Sequence, residues 1–141
     1  NETIDGDEAS GFIYVLRSNS EHEYISTHRN LIHKIGVTGD IDRRFLNASN
    51  DPTFLIADVE VMKTYELFNI NSSKLEHLLH RIFENAKLNL ELTDRWGKPY
   101  RPKEWYLVPL SEIEEAVNRI MDGTITDYYY DTTKAKLTKY V

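Results

Sequence analysis

GFIYVLRSNSEHEYISTHRNLIHKIGVTGDIDRRF, residues 11–45, is the stretch that decides the fold. It contains two short runs of β-branched and aromatic residues, at 12–16 and 31–37, separated by a polar stretch at 18–30. Runs of this composition predict β-strands, and the polar stretch predicts an enlarged hairpin connection. We therefore expect two antiparallel strands at the start of the domain.

The residues after the second strand change from strand spacing to helical spacing. Ile41, Phe45 and Leu46 recur on one side of a helix, which predicts a short amphipathic helix over 41–49. Residues 54–67 are again rich in strand formers and predict a third strand. The chain thus alternates between strand and helix patterns.

The second half of the chain continues this alternation. Residues 72–88 carry apolar residues at helical spacing, and Ser73 and Glu76 have the spacing of a capping box at the helix start. Residues 89–103 contain Gly and Pro and predict a loop, which leads into a strand at 104–109. A last helix is predicted at 111–121, with Gly123 as its end.

These patterns predict a small α/β domain with a central three- to four-stranded, mainly antiparallel sheet flanked by three helices. Its expected bounds are residues 11–123. Residues 1–10 are acidic without apolar periodicity, and we expect them to be disordered or a linker. Residues 124–141 are a C-terminal extension that the patterns do not assign to a role.

Composition excludes several classes of protein. A chain of 141 residues with 40% hydrophobic residues fits one core, and no apolar run approaches the ~20 residues of a membrane span, so no membrane partner is expected. The absence of cysteine excludes disulfides, thiolate zinc sites and cysteine nucleophiles. A reducing interior fits this composition best, so the expected location is cytoplasmic.

The charge of the chain bears on nucleic-acid binding. A net charge of −6 argues against a protein that grips nucleic acid over its whole surface, because such affinity comes mainly from Lys and Arg. However, Arg29, Lys34, Arg43 and Arg44 lie within a short stretch. They predict a local basic patch.

Four segments carry a resemblance to a known family. Residues 11–18 (GFIYVLRS), 33–45 (HKIGVTGDIDRRF) and 75–83 (LEHLLHRIF) resemble, in order and spacing, three motifs of the GIY-YIG endonucleases. The ending KEWYLV at 103–108 is similar to the phage and bacterial branch that reads KIG where others read YIG. The resemblance implies a metal-dependent endonuclease domain that hydrolyses phosphodiester bonds in DNA with one Mg²⁺ or Mn²⁺ ion.

The resemblance also implies roles for individual residues. Glu76 corresponds to the metal ligand, and Arg44 to the arginine that meets the charge developing on the phosphate. Tyr14 corresponds to the first-strand tyrosine, which orients or deprotonates water, and Gly36 to the glycine of the second motif. The ordinary pKa of a phenol is about 10, so Tyr14 needs a nearby positive charge to lose its proton. Lys34 is placed to supply that charge.

The sequence departs from the motif at the second strand. Lys34 stands at the position of its tyrosine, with His33 before it. Because strand neighbours point to opposite faces, Lys34 and Gly36 share one face while His33 and Ile35 share the other. His33 titrates near neutrality and is a candidate base, but a histidine that alternates with core residues is commonly packed.

Three alternative roles for individual residues and one alternative function stay open. Glu76 has a structural reading as the capping-box glutamate, and His77 with His80 suggests a zinc helix, although the order E-H-x-x-H is not that of zincins. His80, one turn after Glu76, also fits a residue that supports the site without touching the reacting atoms. The alternative function is a catalytically impaired module that binds nucleic acid or a protein partner. Cleavage specificity is expected from an additional domain or subunit.

Overall fold

The computed structural model describes residues 9–39, 54–55, 57–68, 71–94 and 96–141. Within them the elements in chain order are β1 (Ala9–Ser18), α1 (Glu23–Thr27), β2 (Ile32–Thr38), β3 (Val59–Phe68), α2 (Ser72–Ile82), β4 (Leu92–Thr93), β5 (Pro99–Tyr100), β6 (Trp105–Leu107), α3 (Leu110–Met121), β7 (Tyr128–Asp131) and β8 (Lys136–Lys139). Single 3₁₀ turns at Glu84–Ala86 and Ile125–Asp127 follow α2 and α3.

The central sheet has the strand order β3-β1-β2-β6, and every pair in it is antiparallel. The described residues also contain three α-helices, so the predicted α/β class with a four-stranded antiparallel sheet is confirmed. The long β1 lies between β2 and β3, and it places Tyr14 opposite Gly36. The hairpin connection predicted between the first two strands contains α1.

The core lies between one face of the sheet and helices α2 and α3. Strand β1 contributes Ile13 and Val15 to it, whereas the intervening Tyr14 and Leu16 pack with Phe54 on the other face. This alternation follows from the twofold period of a strand. Apolar residues of α2 and α3 recur at helical spacing and cover the first face: Leu75, Leu79, Ile113, Ala116 and Val117.

The C-terminal residues 124–141 form part of the domain. Strands β7 and β8 make a hairpin, and Tyr130 and Leu137 from it join the core cluster. The rings of Phe83 and Tyr130 meet edge to face with centroids 5.2 Å apart. The segment that the sequence patterns left without a role therefore completes the core beneath α2 and α3.

Several boundaries differ from the predictions. Strand β1 begins at Ala9, ahead of the predicted boundary, and residues 1–8 lie outside the described part of the chain. The helix predicted over 72–88 ends at Ile82. The predicted loop at 89–103 contains the two-stranded β4–β5 ribbon.

The N-terminal end of α2 also differs from the prediction. Asn71 is its cap, and the Asn71 side chain accepts from the Lys74 backbone N–H at 3.0 Å. The predicted capping box of Ser73 and Glu76 is therefore wrong, which leaves the Glu76 carboxylate available for other contacts. None of the helices in the described part combines the length and the hydrophobicity that a membrane crossing requires.

The third predicted strand and the first predicted helix have different outcomes. The strand predicted over 54–67 begins only at Val59, and Leu55 before it adopts a left-handed backbone conformation with φ 62°. The helix predicted over 41–49, with Arg43 and Arg44, lies outside the described residues.

Replacing Gly36 by Ala is expected to destabilise the sheet. A β-carbon at Gly36 would lie 2.5 Å from Cζ of Tyr14, so the tyrosine ring or the strand must move. Overpacking of this kind costs about 1–3 kcal/mol of unfolding free energy, to be measured by urea denaturation. Gly39→Ala is the control, because a β-carbon there meets nothing within 4 Å. Equal effects of the two substitutions would contradict the packing of Tyr14 on Gly36.

The hairpin β7–β8 is expected to be needed for stability. Leu137 is 6% exposed within the core cluster, and Leu→Ala at such a site costs about 2–5 kcal/mol. Leu31→Ala is the matched control, because Leu31 is 38% exposed. Thermal and urea unfolding of both variants measure the difference. A Leu137→Ala protein as stable as Leu31→Ala would show that the hairpin is dispensable.

Candidate functional site

Three elements converge on residues 34–36 of β2. Strand β6 pairs with β2 up to Lys34 opposite Trp105, and the Ile35 N–H then donates to the Glu104 carbonyl at 3.1 Å. Helix α2 reaches the same strip through His80, whose Nε2 lies 2.9 Å from the Ile35 carbonyl oxygen. From the neighbouring strand, the Tyr14 ring lies against Gly36. We refer to this convergence as the β2 site.

A cluster of possible metal ligands lies at the β2 site. Glu76, His80 and Glu104 each offer one ligand atom, and these atoms all lie within 4.8 Å of one another. Glu76 and His80 are one turn apart on α2, whereas Glu104 comes from the residue before β6. The predicted metal ligand Glu76 and the predicted supporting residue His80 are thus brought together.

The orientation of His80 is set by its neighbours. Its ring stacks on Tyr106 with centroids 5.5 Å apart. A carbonyl oxygen can only accept, so the bond to Ile35 places the imidazole proton on Nε2. Glu76 Oε2 lies 4.0 Å from the same nitrogen. The Nε2 proton of His80 is therefore donated to the backbone. His80 lies beside Glu76 without a hydrogen bond between the two side chains.

Lys34 lies beneath the cluster and is completely buried. Its Nζ lies 2.7 Å from Glu104 Oε1 and 5.9 Å from the centroid of the Phe54 ring. Lys34 points into the protein rather than to solvent, so it adds no surface charge to the predicted basic patch, and Arg43 and Arg44 of that patch lie outside the described residues. Arg29 also turns inward, and its Nε donates to the Ser18 carbonyl at 2.9 Å.

Glu104 adopts a backbone conformation that side chains rarely take. Its φ is 66°, in the left-handed region, which costs about 1–2 kcal/mol for a residue other than Gly. The bond from Ile35 and the ion pair with Lys34 hold it there. Backbone strain at a residue that also offers a possible metal ligand is typical of functional positions.

Burial and neighbouring carboxylates both act on the titratable groups of the β2 site. Burial, and then the nearby Glu104 carboxylate, raise the pKa of Glu76, while His80 and Lys34 oppose the shift. The pKa of the Tyr106 phenol is raised by burial and by neighbouring carboxylates. In both cases burial is the larger cause and the neighbouring carboxylates add to it.

Tyr14 and Lys34 lie on one face of the sheet. Tyr14 pairs with Gly36 and Leu16 pairs with Lys34 across β1 and β2. Tyr14 is 1% exposed and packs with Phe54, the ring under the Lys34 ammonium group. Strand alternation predicts that Lys34 and Gly36 share one face, and the pairing of Tyr14 with Gly36 adds Tyr14 to that face.

His33, another predicted site residue, does not lie at the cluster. His33 is buried on the opposite face from Lys34, and its Nδ1 lies 2.7 Å from the Val108 carbonyl oxygen. Burial lowers the pKa of His33, which keeps the ring neutral in its packed position. Arg44 lies outside the described residues.

Glu104 is the site residue that sequence reasoning missed. The Glu104-Trp105-Tyr106 stretch predicts a core and strand edge, which is correct for Trp105 and Tyr106, at 0% and 2% exposure. A polar residue beside two large buried ones was the available signal. This signal does not identify Glu76 on α2 as a neighbour, because Glu104 and Glu76 are separated by a long stretch of chain.

A family model matches residues 11–121 of the chain, and its description is "T5orf172 domain". The chain belongs to the T5orf172 domain family. This is a family of nuclease-like domains associated with DNA binding. The match covers every element that builds the β2 site.

The match corrects the resemblance read from the sequence. The T5orf172 domain is a family distinct from the GIY-YIG endonucleases, although it is associated with endonucleases of HNH and GIY-YIG-like type. The motifs that suggested the resemblance are each only a few residues long. A match along residues 11–121 outweighs them.

One similar protein is the uncharacterized protein YeeC of Bacillus subtilis (strain 168), 40% identical over 116 residues. The alignment covers 82% of this chain and 30% of YeeC. The chain therefore spans less than a third of the length of this relative. No solved structure matches the chain.

Replacing Glu76 by Gln is expected to stabilise the metal-free protein near neutral pH. An acid whose folded-state pKa is raised above 4.5 binds its proton more tightly when folded, so unfolding free energy falls as pH rises through that region. The Gln amide does not ionise, so the unfolding free energy no longer falls with pH through this group. The expected gain at pH 7 is roughly 0.5–2 kcal/mol, and it disappears below the ordinary pKa.

Urea unfolding in EDTA across this pH range measures the effect. Glu91→Gln is the control, because Glu91 is exposed. A Glu76→Gln protein that is less stable than the parent at pH 7 would show that the Glu76 carboxylate is satisfied without a cation.

Proposed function

We propose that the chain is a metal-dependent endonuclease domain that hydrolyses phosphodiester bonds in DNA. The observation that carries this proposal is the convergence of Glu76, Glu104 and His80, with ligand atoms within 4.8 Å of one another. The nuclease-like, DNA-associated family supports the substrate. Tyr14 and Lys34 beside the cluster supply groups suited to proton transfer.

The donor set suits one hard divalent ion. Carboxylate oxygens are the ligands that Mg²⁺ and Mn²⁺ prefer, and two of them leave positions for waters and a phosphate. Glu76 and Glu104 would therefore hold the ion. His80, with Nε2 donating to Ile35, would line the site beside the Glu76 carboxylate, whose Oε2 lies 4.0 Å from that nitrogen. Burial, and then the Glu104 carboxylate, raise the pKa of Glu76, and a cation bound between such groups would favour their charged forms.

The bound ion would polarise the phosphate and lower the pKa of a coordinated water. In this proposal Tyr14 orients the attacking water. Lys34 keeps positive charge near the Tyr14 phenol, which favours its giving up a proton. Arg44, on the basis of its sequence position, would meet the charge that develops on the phosphoryl oxygens. We assign His33 a packing role only, because its ring is buried against the Val108 carbonyl.

A second candidate function is a catalytically impaired module that binds nucleic acid or a protein. The observation that favours it is the ion pair of Lys34 with Glu104 at 2.7 Å, which occupies both the amine and one carboxylate oxygen. In either case we propose that further domains or subunits provide specificity. The extent of YeeC beyond the matched region supports this.

Nicking of supercoiled plasmid tests the proposal. With Mg²⁺ or Mn²⁺ the parent protein is expected to nick, and Glu76→Ala or Glu104→Ala to lose about 100-fold or more, because each removes a ligand. Arg44→Ala is expected to lose on the order of 100-fold by removing charge stabilisation. Glu91→Ala, at an exposed carboxylate, is the control and keeps full activity.

Metal binding measured alongside separates the two candidate functions. A rise in melting temperature on adding Mn²⁺, lost in Glu76→Ala, is expected of the endonuclease. A folded parent protein that neither cuts at low salt nor responds to either metal would contradict it and favour the binding module.

A further inference from the structure

A basic groove runs along the outer side of the segment that carries Glu104. Its volume is about 510 Å³, and three cationic residues line it: Lys87, Arg101 and Lys103. Glu84 contributes a carboxylate, and Asn85 and Asn89 contribute amides. We call this surface the basic groove. Cations therefore outnumber acids in its lining by three to one.

The charges of the basic groove face solvent. All three cationic residues are exposed, and among the described residues none of them forms an ion pair. Arg101 Nη1 donates to Asn89 Oδ1 at 3.1 Å, which orients the guanidinium without neutralising it. The groove thus presents donors with uncompensated positive charge in a chain whose net charge is −6.

The basic groove adjoins the β2 site through β6. Lys103 directly precedes Glu104, and Lys87 forms a β-bridge with Tyr106, the ring on which His80 stacks. The Leu88 N–H donates to the Trp105 carbonyl at 2.8 Å and fixes the groove wall against β6. One short strand therefore separates the groove from the candidate ligands.

We propose that the basic groove binds the phosphodiester backbone of the nucleic acid whose scissile phosphate lies at the β2 site. This inference rests on the proposed function and identifies where its substrate is held. An acidic protein repels a polyanion over most of its surface, so affinity must come from a local excess of Lys and Arg. The side-chain amides of Asn85 and Asn89 add N–H groups that can donate hydrogen bonds to phosphate oxygens.

Fluorescence anisotropy in EDTA tests the groove without cleavage. The probes are a labelled single strand of about 16 nucleotides and a duplex of the same length. The groove variant carries Lys87→Gln, Arg101→Gln and Lys103→Gln. Loss of three phosphate contacts is expected to weaken binding at low salt about tenfold or more. The slope of log K against log salt should fall by about 2 for a single strand or about 3 for a duplex.

A charge-matched variant of the hairpin β7–β8 is the control. Lys134→Gln, Lys136→Gln and Lys139→Gln remove the same charge from exposed positions outside the groove. This variant is expected to bind like the parent protein. The probe that loses affinity only in the groove variant identifies whether the backbone belongs to a single strand or to a duplex.

Three results would overturn the proposal. The first is equal weakening by the groove and hairpin variants, which would show a delocalised charge effect. The second is competition by polyglutamate as effective as competition by oligonucleotide at equal charge, and the third is no binding of either probe by the parent protein at low salt. Stabilisation by Mn²⁺ is measured in the same proteins, so failure of the groove and failure of the metal site are distinguishable.

Discussion

The ammonium group of Lys34 is fully buried and lies 2.7 Å from a carboxylate oxygen of Glu104. An unpaired charge at this depth would cost several kcal/mol, so Glu104 has to stay beside it. The ion pair holds Glu104 in a left-handed backbone conformation at the start of β6. It also joins the edge strand to β2, and both the candidate ligands and the wall of the basic groove are placed relative to that junction.

A second carboxylate lies at the same place. Glu76 projects from α2 toward Glu104, and burial, followed by the nearby Glu104 carboxylate, raises the pKa of Glu76. His80 and Lys34 oppose this shift, and His80 is oriented by the Ile35 carbonyl and the Tyr106 ring. The proposed function assigns a divalent ion to these two carboxylates, because carboxylate oxygens are the ligands that Mg²⁺ and Mn²⁺ prefer.

The predictability of each element followed the range of the interactions that form it. Strands β1 and β2 were predictable from their runs of β-branched and aromatic residues, and helix α3 from its apolar residues at helical spacing. The cap of α2 was predicted at Ser73 but is Asn71, since several polar residues nearby are competent to cap. The hairpin β7–β8 carries few apolar residues, and its stability comes from docking on the core.

The sequence by itself determined the antiparallel strand pair and the shared face of Lys34 and Gly36, because these depend on strand composition and on alternation. Only the tertiary structure decided that Glu104 completes the candidate site. Its bond to Lys34 joins residues 70 positions apart, and such a contact depends on how β6 docks against β2. Local periodicity specifies which face a side chain occupies, whereas its partner is specified by packing between distant elements.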